Sequence, residues 1–213
     1  MLTHVWIIPL IPALSFVAIL AFGKKLPKKG AEIGIASVTI CLVLALVTGI
    51  GWINRVNHPP ESAHAEAAIE SVEGHEAEAT AEADHTPADA APAEEGESAA
   101  AGEEEHHVTP PVQRSVTWFE TGNTTIKAGT LLDGLSALML VIVTFISLLV
   151  HIFSTDYVAG DRRYTHYFAF LSLFTASMLF FVVSENTLQM IVGWELVGLC
   201  SFALIGHWWE EKP

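Results

Sequence analysis

Charged residues are scarce in this sequence. They make up 16% of its 213 residues, whereas a typical soluble domain carries about 25%. Lysine and arginine together number only 10, and they form no basic patch of the kind that binds nucleic-acid phosphates. The composition therefore excludes a nucleic-acid-binding protein and argues against a soluble domain.

Cysteine and the residue patterns of redox or hydrolytic sites are also lacking. The two cysteines, Cys41 and Cys200, each lie inside an apolar run, where a free thiol behaves as a small hydrophobic residue. They are too few for a disulfide framework, a zinc site or an iron–sulfur site. No glycine-rich phosphate-binding loop and no nucleophile–base arrangement occurs. We therefore expect buried cysteines and no cofactor or metal site in this chain.

Long apolar runs are what the sequence has in abundance. Hydrophobic residues make up 51% of it, and a membrane-spanning helix needs about 20 mostly apolar residues. The first run has no basic residue before its apolar core, unlike a secretory signal, so we interpret it as a retained helix. We predict an all-α membrane protein with about five spans, at residues 4–22, 33–53, 134–153, 167–183 and 188–208.

The net charge of −14 is concentrated in one insert. Residues 58–107 contain 15 Asp and Glu and no Lys or Arg, so the rest of the chain is nearly neutral. Basic loops stay on the cytoplasmic side of a membrane, and five spans put all the basic connections on one side. The N-terminus and the acidic insert are then extracytoplasmic. The basic residues of these connections are Lys24, Lys25, Lys28, Lys29, Arg162, Arg163 and Lys212.

These patterns divide the chain into four parts. Residues 1–57 carry the first two spans, and residues 133–213 carry the last three. Residues 58–115 form the Ala-, Glu- and His-rich insert, which we expect to be a disordered acidic loop because it has too little apolar surface to fold. Its six histidines leave weak divalent-metal binding open as an alternative. Residues 116–132 contain two strand-like runs about a turn, which predicts a small extracytoplasmic β-hairpin.

Glu195 is the most informative residue. It lies about halfway along the fifth span, in the run GWELVGLCS at 193–201. A carboxylate at that depth costs roughly 2.5 kcal/mol or more in lipid, so we expect it to face protein or water. Such carboxylates usually mark proton relays; the alternative is a glutamate that pairs with another helix for assembly alone. The nearby Gly193, Gly198 and Gly206 are expected to let helices approach closely.

His151 is the second candidate, near the cytoplasmic end of the third span. Histidine can transfer protons near neutral pH, which makes it a candidate proton relay. A lone interfacial histidine can equally serve as a hydrogen-bonding residue only, and both interpretations stay open. Asp133, Asp161 and Glu185 lie at predicted ends of spans, where we expect solvated or capping roles.

Several stretches resemble a known family. They are LDGLS at 132–136, LVHIFS at 149–154, FTASM at 174–178 and, above all, GWELVGLCSFALIG at 193–206. Together they look like the N-terminal part of subunit L of bacterial proton-translocating NADH–quinone oxidoreductase, respiratory complex I, whose mitochondrial counterpart is subunit 5. The resemblance is dense from residue 133 to 209 and does not cover the acidic insert.

This resemblance implies an antiporter-like membrane subunit that contributes proton translocation. In that family the residue matching Glu195 is essential for proton transfer and works with a lysine on a later helix, and the residue matching His151 is often a histidine. NADH, flavin, iron–sulfur clusters and quinone would be bound by partner subunits. Other membrane subunits of complex I and the lipid of the bacterial inner membrane would surround this one. Because the family's subunit has many more helices, we expect this chain to be an N-terminal portion.

Other interpretations stay open. Within the family, the large subunit of a multisubunit sodium/proton antiporter is similar, as is a hydrogenase-linked relative, although the run VGLC at 197–200 favours complex I. In a different class, a non-transporting membrane anchor or assembly protein would use the acidic insert to bind a partner or metal. Such a protein would not need Glu195.

Overall fold

The computed structural model describes residues 2–58, 109–121 and 124–208. With the short 3-10 turns that extend α1 and α5, each described helix is long and apolar enough to cross a membrane. The predicted five-span fold and the predicted hairpin are therefore confirmed, while most of the predicted acidic insert at 58–115, namely 59–108, lies outside the described residues. The elements are α1 (Ile7–Phe22), α2 (Ala31–Asn57), β1 (Val112–Thr121), β2 (Thr124–Leu132), α3 (Gly134–Tyr157), α4 (Tyr164–Val182) and α5 (Thr187–Ile205).

The hairpin begins earlier than the sequence indicates. Its two strands are antiparallel, and β1 starts at Val112, which pairs with Leu132. Residues 112–115, predicted as part of the acidic loop, therefore belong to the strand. The sequence prediction followed the aromatic and β-branched run that starts at Val116. Backbone pairing continues through the polar residues before that run, because the ladder depends on main-chain groups and not on side-chain type.

Helix α4 occupies the centre of the bundle. Half of its apolar stretch (50%) is buried, against 11% for α5, because α1, α3 and α5 all pack on it. Small side chains let helices approach closely in lipid, where apolar burial gives little driving force for association. The buried positions of α4 include Ala169, Ser172, Thr175, Ala176 and Ser177.

Two side chains at the start of α5 fasten the hairpin to the turn between α4 and α5. The Gly129 N–H donates to Gln189 Oε1 (3.1 Å), and Gln189 Nε2 donates to the Gly129 carbonyl (2.8 Å). Asn186 Nδ2 donates to the Lys127 carbonyl (2.7 Å), while Asn186 Oδ1 accepts the Gln189 N–H (2.9 Å) and caps α5. The edge of β2 thereby gains side-chain partners and is held at this end of the bundle.

Two carboxylates at the hairpin end of the bundle, Asp133 and Glu185, have local roles. Asp133 caps α3 by accepting the Ser136 N–H at 2.6 Å, as predicted. Glu185 lies in the turn between α4 and α5 and accepts from Gln113 Nε2 of the hairpin at 2.8 Å.

Helix α5 meets α4 through Gly193 and Cys200, the two buried residues of α5. A Cβ added at Gly193 would lie 3.0 Å from the Phe181 Cα atom, closer than side chains normally approach a backbone. The packing role predicted for Gly193 is confirmed. In contrast, a Cβ at Gly198 or Gly206 would meet no atom within 4 Å in the described part of the chain. The prediction that both cysteines are buried is also confirmed.

Replacing Gly193 with valine should destabilise the chain by about 1–3 kcal/mol, because the added atoms overlap the backbone of α4. The matched control is Gly198→Val, which makes the same change on the same helix in open space. Thermal unfolding in detergent micelles, followed by circular dichroism, measures the difference. Equal losses of stability in the two variants would contradict the packing described above.

Candidate functional site

Glu195 lies in the middle of α5, on a face that the described helices leave uncovered. It follows Thr187 by eight positions, or roughly 12 Å of helix, and its side chain is exposed. Gly198, Leu199 and Phe202 follow it by three, four and seven positions and so share its face. Leu199 and Phe202 are 54% and 77% exposed. Glu195, Gly198, Leu199 and Phe202 are called the open face below.

The open face lies opposite the side of α5 that contacts α4. Gly193 precedes Glu195 by two positions, a rotation of about 200° around the helix, and Gly193 packs against α4. Among the residues that the structure describes, Glu195 has no hydrogen-bond or ion-pair partner. The prediction that its carboxylate faces protein or water therefore stays a prediction, and the open face is where such a partner would lie.

His151 is enclosed by three helices. It is 0% exposed, whereas the sequence suggested an interfacial position. Its Nδ1 lies 2.8 Å from the Ser147 carbonyl oxygen, and its ring packs against Phe168 of α4 with centroids 6.1 Å apart. Gly34 of α2 borders the ring, since a Cβ added there would lie 3.1 Å from His151 Cδ2. The structure does not bring His151 together with the exposed Glu195, which lies on α5.

A polar cluster that the sequence did not predict joins the turn between α3 and α4 to the end of α5. Asp161 Oδ2 accepts from His207 Nε2 (3.0 Å) and from Trp208 Nε1 (2.9 Å), and its Oδ1 accepts the Arg163 N–H (2.7 Å). Arg163 Nη1 donates to the His207 carbonyl (3.3 Å). The position of Asp161 predicts only a solvated or capping role. Asp161 and His207 are 46 positions apart in the sequence, and whether they meet depends on the lengths of the two helices between them, α4 and α5.

The basic connections between helices meet at this same end of the bundle. Lys24 and Lys29, from the connection between α1 and α2, line one cleft together with Arg162 and Arg163. The hairpin is fastened to the turn between α4 and α5, which lies at the other end of those helices. Basic connections that the sequence assigned to one side of the membrane therefore lie together at one end of the bundle.

Comparison with known proteins identifies the family. A family model described as NADH-Ubiquinone oxidoreductase (complex I), chain 5 N-terminus, matches residues 118–168. F(420)H(2) dehydrogenase subunit L of Methanosarcina mazei is 32% identical over 206 residues, which are 97% of this chain and 22% of that protein. NAD(P)H-quinone oxidoreductase chain 5 of Synechocystis sp. is 47% identical over 97 residues, or 46% of this chain and 14% of that protein. The chloroplastic subunit 5 of Mesostigma viride is 48% identical over 105 residues, or 49% of this chain and 16% of that protein.

The chain belongs to the complex I chain 5 family. It spans less than a quarter of the length of these three relatives. The family model includes His151 and ends before Glu195. The match to the Methanosarcina subunit leaves out only a few residues of the chain, so it reaches both candidate residues and also the first two helices, where family motifs are sparse. The membership and the five apolar helices together make the protein a multi-pass membrane protein.

Acidification should weaken the attachment at the end of α5. The Arg163 N–H, and then the Trp208 and His207 side chains, donate to Asp161 and hold the pKa of its carboxyl below its ordinary value, which is about 3.9. A carboxyl whose pKa is lower in the folded state stabilises the fold above its ordinary pKa, and this contribution is lost as pH falls through the folded pKa. Stability should therefore decline as the pH drops below about 4.

The measurement is the unfolding temperature in detergent between neutral pH and the acid range, for the unmodified chain and for Asp161→Asn. The asparagine variant should show a weaker dependence on acid, because its amide cannot ionise. Asp156→Asn is the control, since Asp156 is an exposed carboxylate at the end of α3. An Asp161→Asn variant with an unchanged pH profile would show that this carboxylate does not hold α5.

Proposed function

We propose that this chain is the N-terminal part of a proton-translocating, antiporter-like membrane subunit of NADH–quinone oxidoreductase. The subunit would couple the transfer of electrons from NADH to quinone, carried out by its partners, to the movement of protons across the membrane. The observation that carries the proposal is Glu195, a carboxylate in the middle of an apolar span of a complex I chain 5 family member. The names of two relatives, both subunits of NAD(P)H-quinone oxidoreductase, support the assignment to such a complex.

The position of Glu195 suits a group that takes up and releases protons. Exposed to lipid, its charged form would cost roughly 2.5–3.5 kcal/mol, so the open face requires protein or water against it. In an apolar surrounding the neutral acid is favoured, and an approaching cation or water favours the carboxylate. Gly198, one turn away, leaves room beside the carboxyl for water or for another helix. Whatever covers the open face would then lie directly against the carboxyl.

The redox chemistry belongs, in this proposal, to partner subunits. The relatives are named for different electron donors, F(420)H(2) in one case and NAD(P)H in others, although they share this region of sequence. The identity of the donor therefore does not depend on the shared region. NADH, flavin, iron–sulfur clusters and quinone are assigned to the partners, and this chain would contact other membrane subunits of complex I.

We place the protein in the bacterial inner membrane with its basic end toward the cytoplasm. Positively charged loops resist translocation, and Lys24, Lys29, Arg162 and Arg163 meet at one end of the bundle. The N-terminus, the hairpin and the acidic insert then lie outside. In this orientation His151 lies toward the cytoplasmic end of α3, and we assign it as a second proton carrier.

Replacing Glu195 with glutamine should reduce proton translocation by roughly 100-fold or more, the scale on which removal of a positioned proton donor acts. The amide keeps the shape of the side chain and its polarity but cannot carry the proton. The measurement is NADH-driven acidification of proteoliposomes that contain the purified complex, followed with a pH-sensitive dye. Electron transfer to quinone is recorded in the same preparation.

The matched control is Glu120→Gln, the same chemical change on an exposed residue of the hairpin, outside the spans. It should pump like the unmodified complex. If Glu195→Gln pumps normally while the complex assembles, the proposed transport role fails. A membrane anchor or assembly protein would then be the better interpretation of the chain.

A further inference from the structure

Two buried polar atoms next to each other in the bundle have no partner. They are His151 Nε2 on α3 and Ser172 Oγ on α4, and neither forms a hydrogen bond with the residues that the structure describes. Both side chains are 0% exposed. The neighbouring hydroxyls differ, because Thr175 and Ser177 each donate to a carbonyl one turn earlier in α4. A buried polar group without a partner is rare in native proteins and usually marks an ordered water or another ligand.

Both atoms border Gly34 of α2. A Cβ added at Gly34 would lie 3.4 Å from His151 Nε2 and 3.4 Å from Ser172 Oγ. Residues of α2, α3 and α4 thus meet at one place, and the absence of a side chain at Gly34 lets both polar atoms lie close to the α2 backbone. Because both unpartnered atoms lie beside the same residue of α2, one small polar molecule can be the partner of both.

The hydrogen bond at His151 Nδ1 determines whether this molecule must donate to Nε2 or accept from it. Its Nδ1 lies 2.8 Å from the Ser147 carbonyl oxygen, which can only accept, so Nδ1 carries the proton in the neutral ring. Nε2 is then an unprotonated acceptor and requires a donor. The Ser172 hydroxyl can donate or accept. Water fits both neighbours, because it can donate to Nε2 and accept from Ser172.

We propose that Gly34, His151 and Ser172 form a buried water-binding site between α2, α3 and α4. The water connects the ring of His151 to the hydroxyl of Ser172. On the other side of the ring, Ser147 Oγ is hydrogen-bonded to Thr175 Oγ1. The site therefore places the His151 ring and its water between the Ser172 and Thr175 hydroxyl groups of α4. It lies in the half of α3 that is nearer the basic connections. It does not depend on the role of Glu195.

The test is X-ray radiolytic footprinting of the full-length protein in its native membrane complex. Radiolysis of a bound water generates hydroxyl radicals in place, so a buried side chain beside an ordered water is oxidised although bulk solvent cannot reach it. We expect oxidation of His151, measured by peptide mass spectrometry, in the unmodified protein. In Gly34→Ala the added methyl group takes the space of the water, and oxidation of His151 should fall several-fold.

The control is Gly49→Ala, on the same helix, where a Cβ would make only an ordinary contact at 3.7 Å with Val141 Cγ2. It should leave the oxidation of His151 unchanged. Ser172→Ala provides a second variant that adds no bulk and should also lower the oxidation, which keeps the test valid if Gly34→Ala fails to fold.

Absence of His151 oxidation in the unmodified protein would overturn the proposal, as would equal oxidation in Gly34→Ala and Gly49→Ala. Glu195→Gln should not alter the oxidation of His151 even where it stops proton translocation. Failure of the water site and failure of the proposed function of the complex are therefore distinguishable.

Discussion

The close packing of α4 is the constraint on which the rest of the structure depends. In lipid, helices gain little by burying apolar surface against each other, so close approach and satisfied hydrogen bonds decide which helices pack. The small and hydroxylated side chains of α4 permit that approach, and Thr175 and Ser177 satisfy their own hydroxyls within the helix. As a result α1, α3 and α5 all pack on α4, and each candidate residue has a position defined relative to it.

The two candidate residues take opposite positions around this central helix. His151 is enclosed between α2, α3 and α4, while Glu195 points away from α4 because Gly193 and Cys200 occupy the contact side of α5. They differ accordingly in what they still require. His151 lacks a donor for one ring nitrogen inside the described bundle, whereas the described residues leave the side chain of Glu195 exposed. A single water can supply the donor that His151 requires, whereas covering the open face around Glu195 requires a larger surface.

Helix α5 is held at both ends and open in the middle. At one end Asn186 and Gln189 bind the hairpin, and at the other His207 and Trp208 bind Asp161. Because contacts hold both ends of α5, the direction of the helix that carries Glu195 does not depend on what covers its open face. This arrangement suits a proton-carrying group, which needs a defined place and a changeable surrounding.

The sequence alone determined the number of spans, the side on which the basic loops meet, the family and the residues that carry a proton-transfer hypothesis. These follow from local properties, since twenty apolar residues span a bilayer whatever their neighbours are. Only the tertiary structure decided that His151 is buried, that Glu195 faces away from α4, that Asp161 pairs with His207 and that His151 and Ser172 both border Gly34. The reason is geometric: such contacts depend on how helices are rotated and offset against one another, and no pattern within a single span records the rotation of its neighbour.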